Sequence, residues 1–237
     1  MWPAVIDVGA SAEAQGEEKV VPPAPSIAAF RKKVVALHFT NGSDKEVVAD
    51  LYEKMLRAAY GGALHLAFVS AGWGDAEAAM LAESLPLCMR LETLNLCDNK
   101  KIGAAGWAAL ARALRDGAAP GLKWLYIYDN DFSGSDEALR MLGEAKLPAL
   151  EMLYMGDSSF NLSALVEGMQ AGAWPSLETL RMGSNEQASD EGAEALARAL
   201  ERGAMPKLKE IWAKGSMSEA GKAAVVKARS GVKVKIE

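Results

Sequence analysis

One short segment occurs four times in this chain and constrains its fold more than any other feature. It has the form Pro-x-Leu-x-x-Leu-x-Φ, where Φ is mostly apolar, and its copies begin at Pro120, Pro148, Pro175 and Pro206. The second leucine position of the four copies is occupied by Leu125, Leu153, Leu180 and Ile211, and Leu94 is the related residue upstream. Successive members of this series are 31, 28, 27 and 31 residues apart. Self-similarity at such a period is typical of proteins built from stacked structural repeats.

The segments between these copies are predicted to be helices. Residues 109–114 and 195–200 share the sequence Ala-Leu-Ala-Arg-Ala-Leu, in which leucines four apart lie on one helical face. Ala and Leu are strong helix formers, and each following proline prevents the helix from continuing. Predicted N-caps stand where helices should begin: Asp75, Asn161, and Ser189 or Asp190.

Each unit is therefore expected to contain a short strand, a turn, a helix and a second turn. Helical connections of this length join parallel strands through right-handed crossovers. Stacked units of this kind predict an α/β fold, in which a curved solenoid has a concave parallel β-sheet and convex α-helices.

The repeats are expected to span residues 30–237, in about seven units that start near Val34, plus a closing strand over residues 232–236. The first strand is predicted at Leu37-His38-Phe39. Residues 1–29 are rich in Ala, Glu, Gly and Pro. Such a composition cannot bury a core, so an extended N-terminal tail is predicted there.

One unit resembles a known repeat family. Residues 91–99 read Leu-Glu-Thr-Leu-Asn-Leu-Cys-Asp-Asn and match the leucine-rich-repeat consensus Leu-x-x-Leu-x-Leu-x-x-Asn. The continuation from Asn99 to Leu110 resembles the ribonuclease-inhibitor-like subclass, whose repeats are long and helical. The resemblance covers about residues 34–237 and implies a horseshoe-shaped solenoid. The consensus Asn is replaced by serine at Ser158 and Ser216.

Composition excludes several classes of function. The formal net charge is −5 and Lys and Arg form no long run, which argues against binding of nucleic acid through phosphate neutralisation. No apolar run approaches the length of a membrane span. Two cysteines, Cys88 and Cys97, indicate no disulfide framework. We expect an intracellular protein, cytoplasmic or organellar if a transit peptide has been removed, without a membrane span.

Strand alternation separates buried residues from presented ones. The leucines should face the core, and the residues between them should face the concave side. One central column of presented residues is predicted: His38, His65, Asn95, Tyr126, Tyr154, Arg181 and Trp212. Flanking positions add Trp124, Tyr128 and Met152, with Asp98, Asp129 and Asp157 along one edge.

A protein partner is predicted to bind these presented residues. The predicted partner-binding set is Trp124, Tyr126, Tyr128, Met152, Tyr154, Arg181, Trp212, Asp98, Asp129 and Asp157. Trp, Tyr and Arg dominate interface hot spots, and five aromatic side chains bury up to about 1,000 Å², compared with about 800 Å² for one side of a standard interface. The alternative is that the rings stack across strands only to stabilise the sheet.

No catalytic centre is predicted. His38 and His65 could form a metal pair, because imidazole is a common ligand, but a third ligand is hard to find, and repeat symmetry explains the pair. Cys97 is expected to point outward from its strand. The three aspartates are expected on an open sheet, which does not supply the closed pocket that acid–base catalysis needs. We expect no enzyme activity, no cofactor and no metal.

The sequence favours a non-catalytic protein–protein interaction or scaffold module that binds its partner on the concave face, or a stable subunit of a larger assembly. The alternative is a regulator of another enzyme, resembling the inhibitor or GTPase-activating members of the same repeat class. Arg181 and Asn95 are the central-column candidates for a nucleotide-directed role in that alternative.

Overall fold

Short strands and helices alternate along the chain. The computed structural model describes residues 4–7, 23–41, 43–185 and 189–236. The strands are β1 (Ala4–Asp7), β2 (Ala63–Ala67), β3 (Thr93–Asn95), β4 (Trp124–Tyr126), β5 (Met152–Tyr154), β6 (Thr179–Arg181), β7 (Glu210–Trp212) and β8 (Lys233–Lys235). The helices are α1 (Ile27–Ala36), α2 (Asp44–Gly62), α3 (Asp75–Ser84), α4 (Ala104–Arg115), α5 (Asp136–Gly143), α6 (Leu162–Glu167), α7 (Asp190–Glu201) and α8 (Glu219–Ala228).

All of these strands belong to one open parallel sheet, ordered as they occur in the chain from β1 to β8. Every strand from β2 to β7 is followed by one helix. Because right-handed crossovers between neighbouring parallel strands place the intervening helices on one side, no described helix covers the other side of the sheet, which we call the open face. The predicted α/β class, with its parallel strands, is confirmed.

The core lies between the sheet and the helices. In β3 to β6 the middle residue of the strand is buried and its two neighbours are partly exposed, as alternation requires. The predicted marker residues Leu94, Leu125, Leu153, Leu180 and Ile211 are at most 2% exposed. From the helices, the repeated leucines pack against them: Leu110, Leu114, Leu196 and Leu200.

A buried polar side chain links each turn to the next. After β3 to β7 the turns carry, in order, Asn99, Asn130, Ser158, Asn185 and Ser216, each at most 4% exposed; we call this row the Asn/Ser ladder. The Nδ2 of Asn130 donates to the carbonyls of Leu96 and Ile127, at 3.0 Å each. Its Oδ1 accepts the backbone N–H of Asn99 at 2.8 Å. The ladder therefore joins consecutive turns.

Serine keeps the ladder intact where it stands in place of Asn. Ser158 Oγ accepts the backbone N–H of Asn130 at 3.1 Å and donates to the carbonyl of Gly156 at 3.0 Å. Ser216 Oγ accepts from the backbone of Asn185 at 2.9 Å. A hydroxyl both donates and accepts, so one serine satisfies a donor and an acceptor in the turn.

Helix starts also connect neighbouring units. Asn161 and Ser189 cap their own helices, as predicted. The cap predicted at Asp75 is wrong for its own helix: its Oδ1 instead accepts the backbone N–H groups of Gly103 and Gly106, at 2.7 and 2.9 Å, where α4 of the next unit begins. A Cβ at Gly106 would lie 2.7 Å from that oxygen, so glycine permits the close approach.

The first predicted strand, Leu37-His38-Phe39, is wrong. Residues 37–41 lie outside the strands, and Leu37 is 56% exposed. The apolar residues just upstream instead belong to α1, in which Val34 is buried. Ser26 caps the start of this helix, because its Oγ accepts the backbone N–H of Ala29 at 3.2 Å. The place beside β2 is taken by β1. Most of the predicted tail, residues 1–29, lies outside the described residues.

The C-terminal end is closed by α8 and β8. β8 lies within the stretch predicted as the closing strand and pairs with β7. The guanidinium of Arg229 donates to the carbonyls of Leu200 and Ala204, at 2.9 and 3.0 Å. These bonds tie the residue after α8 to the last turn of α7 and to the segment that follows it. Charged Lys233 and Lys235 on the edge strand discourage pairing with another chain.

Replacement of Asn130 tests the ladder. Asn130→Ala should lower the free energy of unfolding by about 2–4 kcal/mol, because it leaves buried backbone groups without partners. Asn130→Ser should cost clearly less, since Ser158 and Ser216 occupy equivalent positions. Urea unfolding followed by circular dichroism measures both. Equal losses for the two substitutions would contradict this role of the side chain.

Candidate functional site on the open face

Strand register places the presented residues in two rows on the open face. The first row is His65, Thr93, Trp124, Met152, Thr179, Glu210 and Lys233, and the second is Ala67, Asn95, Tyr126, Tyr154, Arg181, Trp212 and Lys235. The predicted central column is thus observed from Asn95 to Trp212. Apart from Trp212, which is 37% exposed, the predicted aromatic residues of the two rows are half-buried.

The histidine part of the predicted column is wrong. His65 pairs with Thr93, two residues from the expected register, and its Nδ1 lies 2.9 Å from Thr93 Oγ1. His38 lies exposed between α1 and α2, outside the sheet. The two imidazoles therefore share no column. Within the described ranges, no group of three or more His, Cys, Asp and Glu side chains is placed to hold a metal ion.

Aromatic and cationic side chains alternate across the C-terminal half of the open face. The ring of Tyr128 stacks on that of Tyr154, with centroids 4.5 Å apart. The guanidinium carbon of Arg181 lies 5.7 Å from the centroid of Tyr154 and 4.9 Å from that of Trp212. On β8, Lys235 Nζ lies 3.7 Å from the centroid of the Trp212 ring. These five residues form what we call the cation–aromatic stack.

The two cations of the stack differ in their counter-charges. Glu210 accepts a hydrogen bond from Trp212 Nε1 at 3.2 Å and pairs with Lys235 at 3.4 Å. The Trp212 hydrogen bond, followed by the charge of Lys235, holds the pKa of Glu210 below its ordinary value. Arg181 forms no ion pair with any carboxylate among the described residues, and its buried Nε has no hydrogen-bond partner there.

Trp124, Tyr126 and Met152 extend the surface toward β3. Lys123 Nζ lies 5.8 Å from the Trp124 centroid and pairs with Glu92 at 2.9 Å. The structure therefore brings the predicted aromatic residues, Met152 and Arg181 together on one face. Lys235 was missed by the sequence analysis, although the alternating closing strand could have placed it in this row.

The backbone conformation of the turns explains why aspartate occurs at the three positions of the acidic edge. Asp98, Asp129 and Asp157 have φ angles of 55°, 55° and 50°, in the left-handed region that Asp tolerates better than most residues. The turns after β2 and β6 place Ser70 and Ser184 there, also with positive φ. A partner-binding role for the aspartates stays a prediction.

Two of the three aspartates already have partners. Lys100 Nζ lies 3.0 Å from Asp129 and 3.8 Å from Asp98, and Ser70 Oγ donates to Asp98 at 2.7 Å. Asp157 is exposed. Of the edge, Asp157 is therefore the carboxylate best placed to meet a partner.

Cys97 does not point outward as predicted. Its side chain is 0% exposed and hydrogen-bonds with Tyr128 of the neighbouring turn. Burial raises the pKa of Cys97 to about 12, and it raises the pKa of Cys88 to about 12 as well. Both thiols are free and stay protonated near neutral pH.

A second exposed surface was missed by the sequence analysis. Val47, Leu51 and Met55 are four residues apart on α2 and are 56–60% exposed. Exposed Val35 and Leu37 belong to the end of α1 and the residue after it. The spacing of the α2 residues was the available signal, because residues four apart share a helical face. We call Val47, Leu51 and Met55 the α2 stripe.

Comparisons with known proteins leave the family open. No protein-family model matches the chain, and no curated protein matches it. A structural-genomics crystal structure of a Bacteroides fragilis protein is similar over 80% of this chain and 60% of that chain, with 18% sequence identity and a TM-score of 0.42. This chain thus spans less than two thirds of that protein, and a likeness at this level carries no functional argument.

None of the helices α1 to α8 in the described part of the chain is long and apolar enough to cross a bilayer.

The positive φ of Asp129 allows a prediction about the stability of variants at this position. Asp129→Asn should change the free energy of unfolding by less than about 1 kcal/mol, because an exposed ion pair contributes little. Asp129→Val should cost about 1–2 kcal/mol more, because a β-branched residue resists positive φ. Chemical denaturation of both variants measures the difference. A loss for Asn as large as for Val would show that the charge, and not the backbone conformation, matters here.

Burial of the thiols predicts their reactivity. Native protein at pH 8 should resist iodoacetamide at both Cys88 and Cys97, because the thiolate is the reactive form and burial raises both pKa values to about 12. After unfolding in guanidinium, both should react, since the pKa of an exposed thiol is about 8.5. Mass spectrometry of labelled peptides reads the result. Rapid modification of Cys97 in the native protein would contradict its burial.

Proposed function

We propose that this chain is a leucine-rich-repeat protein of the ribonuclease-inhibitor-like subclass, a horseshoe solenoid that binds a protein partner on the concave, open face of its sheet. It performs no catalysis itself. It acts as an interaction or scaffold module, alone or as a subunit of a larger assembly.

The repeat class is supported by agreement between sequence and hydrogen bonding. The consensus Asn of the leucine-rich repeat occupies the ladder positions Asn99, Asn130 and Asn185, where each amide is buried. The consensus leucines occupy the buried middle of each strand. One strand and one helix per unit of about thirty residues matches the long, helical repeats of the subclass.

The binding role rests on one observation: aromatic side chains, interrupted at β6 by Arg181, lie together on a face that no described helix covers. Trp124 and Tyr126 lie on β4, Tyr154 lies on the neighbouring β5, and Trp212 lies on β7. Side chains of these types supply large, amphipathic contact areas and dominate hot spots. A sheet face that contacted only solvent would carry polar residues at these positions.

Cross-strand stacking accounts for only part of this arrangement. It explains the contact between Tyr128 and Tyr154, since such aromatic pairs stabilise sheets by about 0.2–1 kcal/mol. It does not explain Trp212, the most exposed of the aromatic residues of the open face, or Arg181, which stands in the stack without a carboxylate. Both are residue types that interfaces favour.

The enzyme-regulator alternative has less support. It relied on Arg181 and Asn95 as polar groups that reach a nucleotide. Asn95 Oδ1 already accepts the backbone N–H of Cys97 at 3.1 Å, and Arg181 is held between two rings. Inhibition of an enzyme by direct occupation of the open face would be one form of the binding function.

The test is selective loss of partners from an affinity purification. Extract from the native source is passed over the immobilised full chain and over a variant with Tyr126→Ala, Tyr154→Ala and Trp212→Ala. The unmodified chain should capture proteins that bind the open face. The captured amount of these proteins should be at least about tenfold lower on the variant, because truncation of a hot-spot residue costs about 2 kcal/mol or more. Quantitative mass spectrometry provides the measurement.

The α2 stripe provides a matched control. Val47→Ala, Leu51→Ala and Met55→Ala also remove three large exposed side chains, but from α2, so this variant should capture the same proteins as the unmodified chain. Thermal unfolding of all three proteins checks that each is folded. Capture that survives the open-face substitutions, or that is lost only with the α2 stripe, would reject the proposed site.

A further inference from the structure

Arg181 is an uncompensated charge at the centre of the open face. Three other cations on or beside the sheet have carboxylate partners: Lys235 pairs with Glu210 at 3.4 Å, Lys209 with Glu178 at 2.8 Å, and Lys123 with Glu92 at 2.9 Å. Arg181 has no such pair, and its buried Nε has no hydrogen-bond partner in the described part of the chain. A guanidinium that is partly removed from water and lacks an acceptor is costly to retain for stability alone.

The stack fixes how this guanidinium is presented. Tyr154 and Trp212 lie on either side of it, 5.7 and 4.9 Å from its central carbon. Ring contacts of this kind use the positive charge of the guanidinium and leave its N–H donors available. An arginine held in this way loses less conformational freedom when it binds, so the site is preorganised.

We infer that Arg181 binds a carboxylate, from an Asp or Glu side chain of the partner, and that this acidic side chain is inserted between the exposed parts of Tyr154 and Trp212. This inference rests on the proposed function and specifies the partner's chemistry. The five donors of a guanidinium match a carboxylate in a two-bond fork, and the rings exclude water around the pair, as residues around a hot spot do.

Charge matching favours a carboxylate over a phosphate. Arg181 supplies one uncompensated positive charge, which a single carboxylate balances. A phosphate group carries about −1.5 to −2 charges at neutral pH and would need a second free cation within the stack. The nearest cation in the stack, Lys235, is already neutralised by Glu210.

Peptide selection tests the inference. Random peptides displayed on phage are selected on the full chain, and those that also bind the Tyr126→Ala, Tyr154→Ala, Trp212→Ala variant are discarded, which leaves peptides that require the open face. These should share an Asp or Glu at a fixed position. Each is then synthesised with that residue, with its amide counterpart Asn or Gln, and with phosphoserine, and its Kd is measured by fluorescence anisotropy.

The expected result is a preference that depends on Arg181. The unmodified chain should bind the carboxylate peptide about tenfold more tightly than its amide, since a hydrogen bond to a charged group contributes about 1.5 kcal/mol or more. Arg181→Gln should bind both forms equally. Arg181→Lys should keep part of the preference, because it retains the charge and loses the fork. Arg112→Gln, which removes an exposed arginine on α4, should behave as the unmodified chain.

Several results would overturn the inference. Open-face peptides that lack an acidic residue, a carboxylate preference that persists in Arg181→Gln, or tighter binding of the phosphoserine form would each reject it while leaving the proposed function standing. A selection that yields no open-face peptide would reject both. Circular dichroism of the Arg181 variants confirms folding, and Arg181→Lys keeps the test valid where Arg181→Gln is unstable.

Discussion

The buried Asn/Ser ladder is the interaction on which the rest of the structure depends. Strands β3 to β8 have only three residues each, so sheet hydrogen bonds alone hold successive units weakly. The ladder adds side-chain bonds within the turns, such as those from Asn130 to the carbonyls of Leu96 and Ile127. These bonds satisfy backbone groups in a dry region, where an unmet group costs about 1–3 kcal/mol.

Constant register is the functional consequence of this linkage. The connections between strands differ in length, yet Leu94, Leu125, Leu153 and Leu180 align without a slip. Side chains from separate units therefore stand one strand spacing apart, about 4.8 Å. That spacing allows a ring such as Tyr154 to contact Arg181 and lets a stack continue across the sheet.

Prediction from sequence succeeded where the repeat was regular and failed at its ends and turns. Asn95 to Trp212 could be aligned because each strand has the same leucine pattern. His65 was displaced by two residues because β2 has alternating apolar positions at both Leu64 and Leu66, and periodicity alone cannot choose between them. Cys97 is buried and hydrogen-bonds with Tyr128 of the next turn, a contact between units that the repeat pattern does not specify.

The amino-acid sequence by itself determined the parallel α/β architecture, the buried leucines and the order of residues along the open face, because these follow from local periodicity. Only the tertiary structure decided which presented charges are neutralised. Glu210 pairs with Lys235, and Arg181 pairs with no carboxylate among the described residues. Ion pairing depends on distances between side chains from different units, which a repeat pattern does not specify, and these distances distinguish one binding surface from another on the same scaffold.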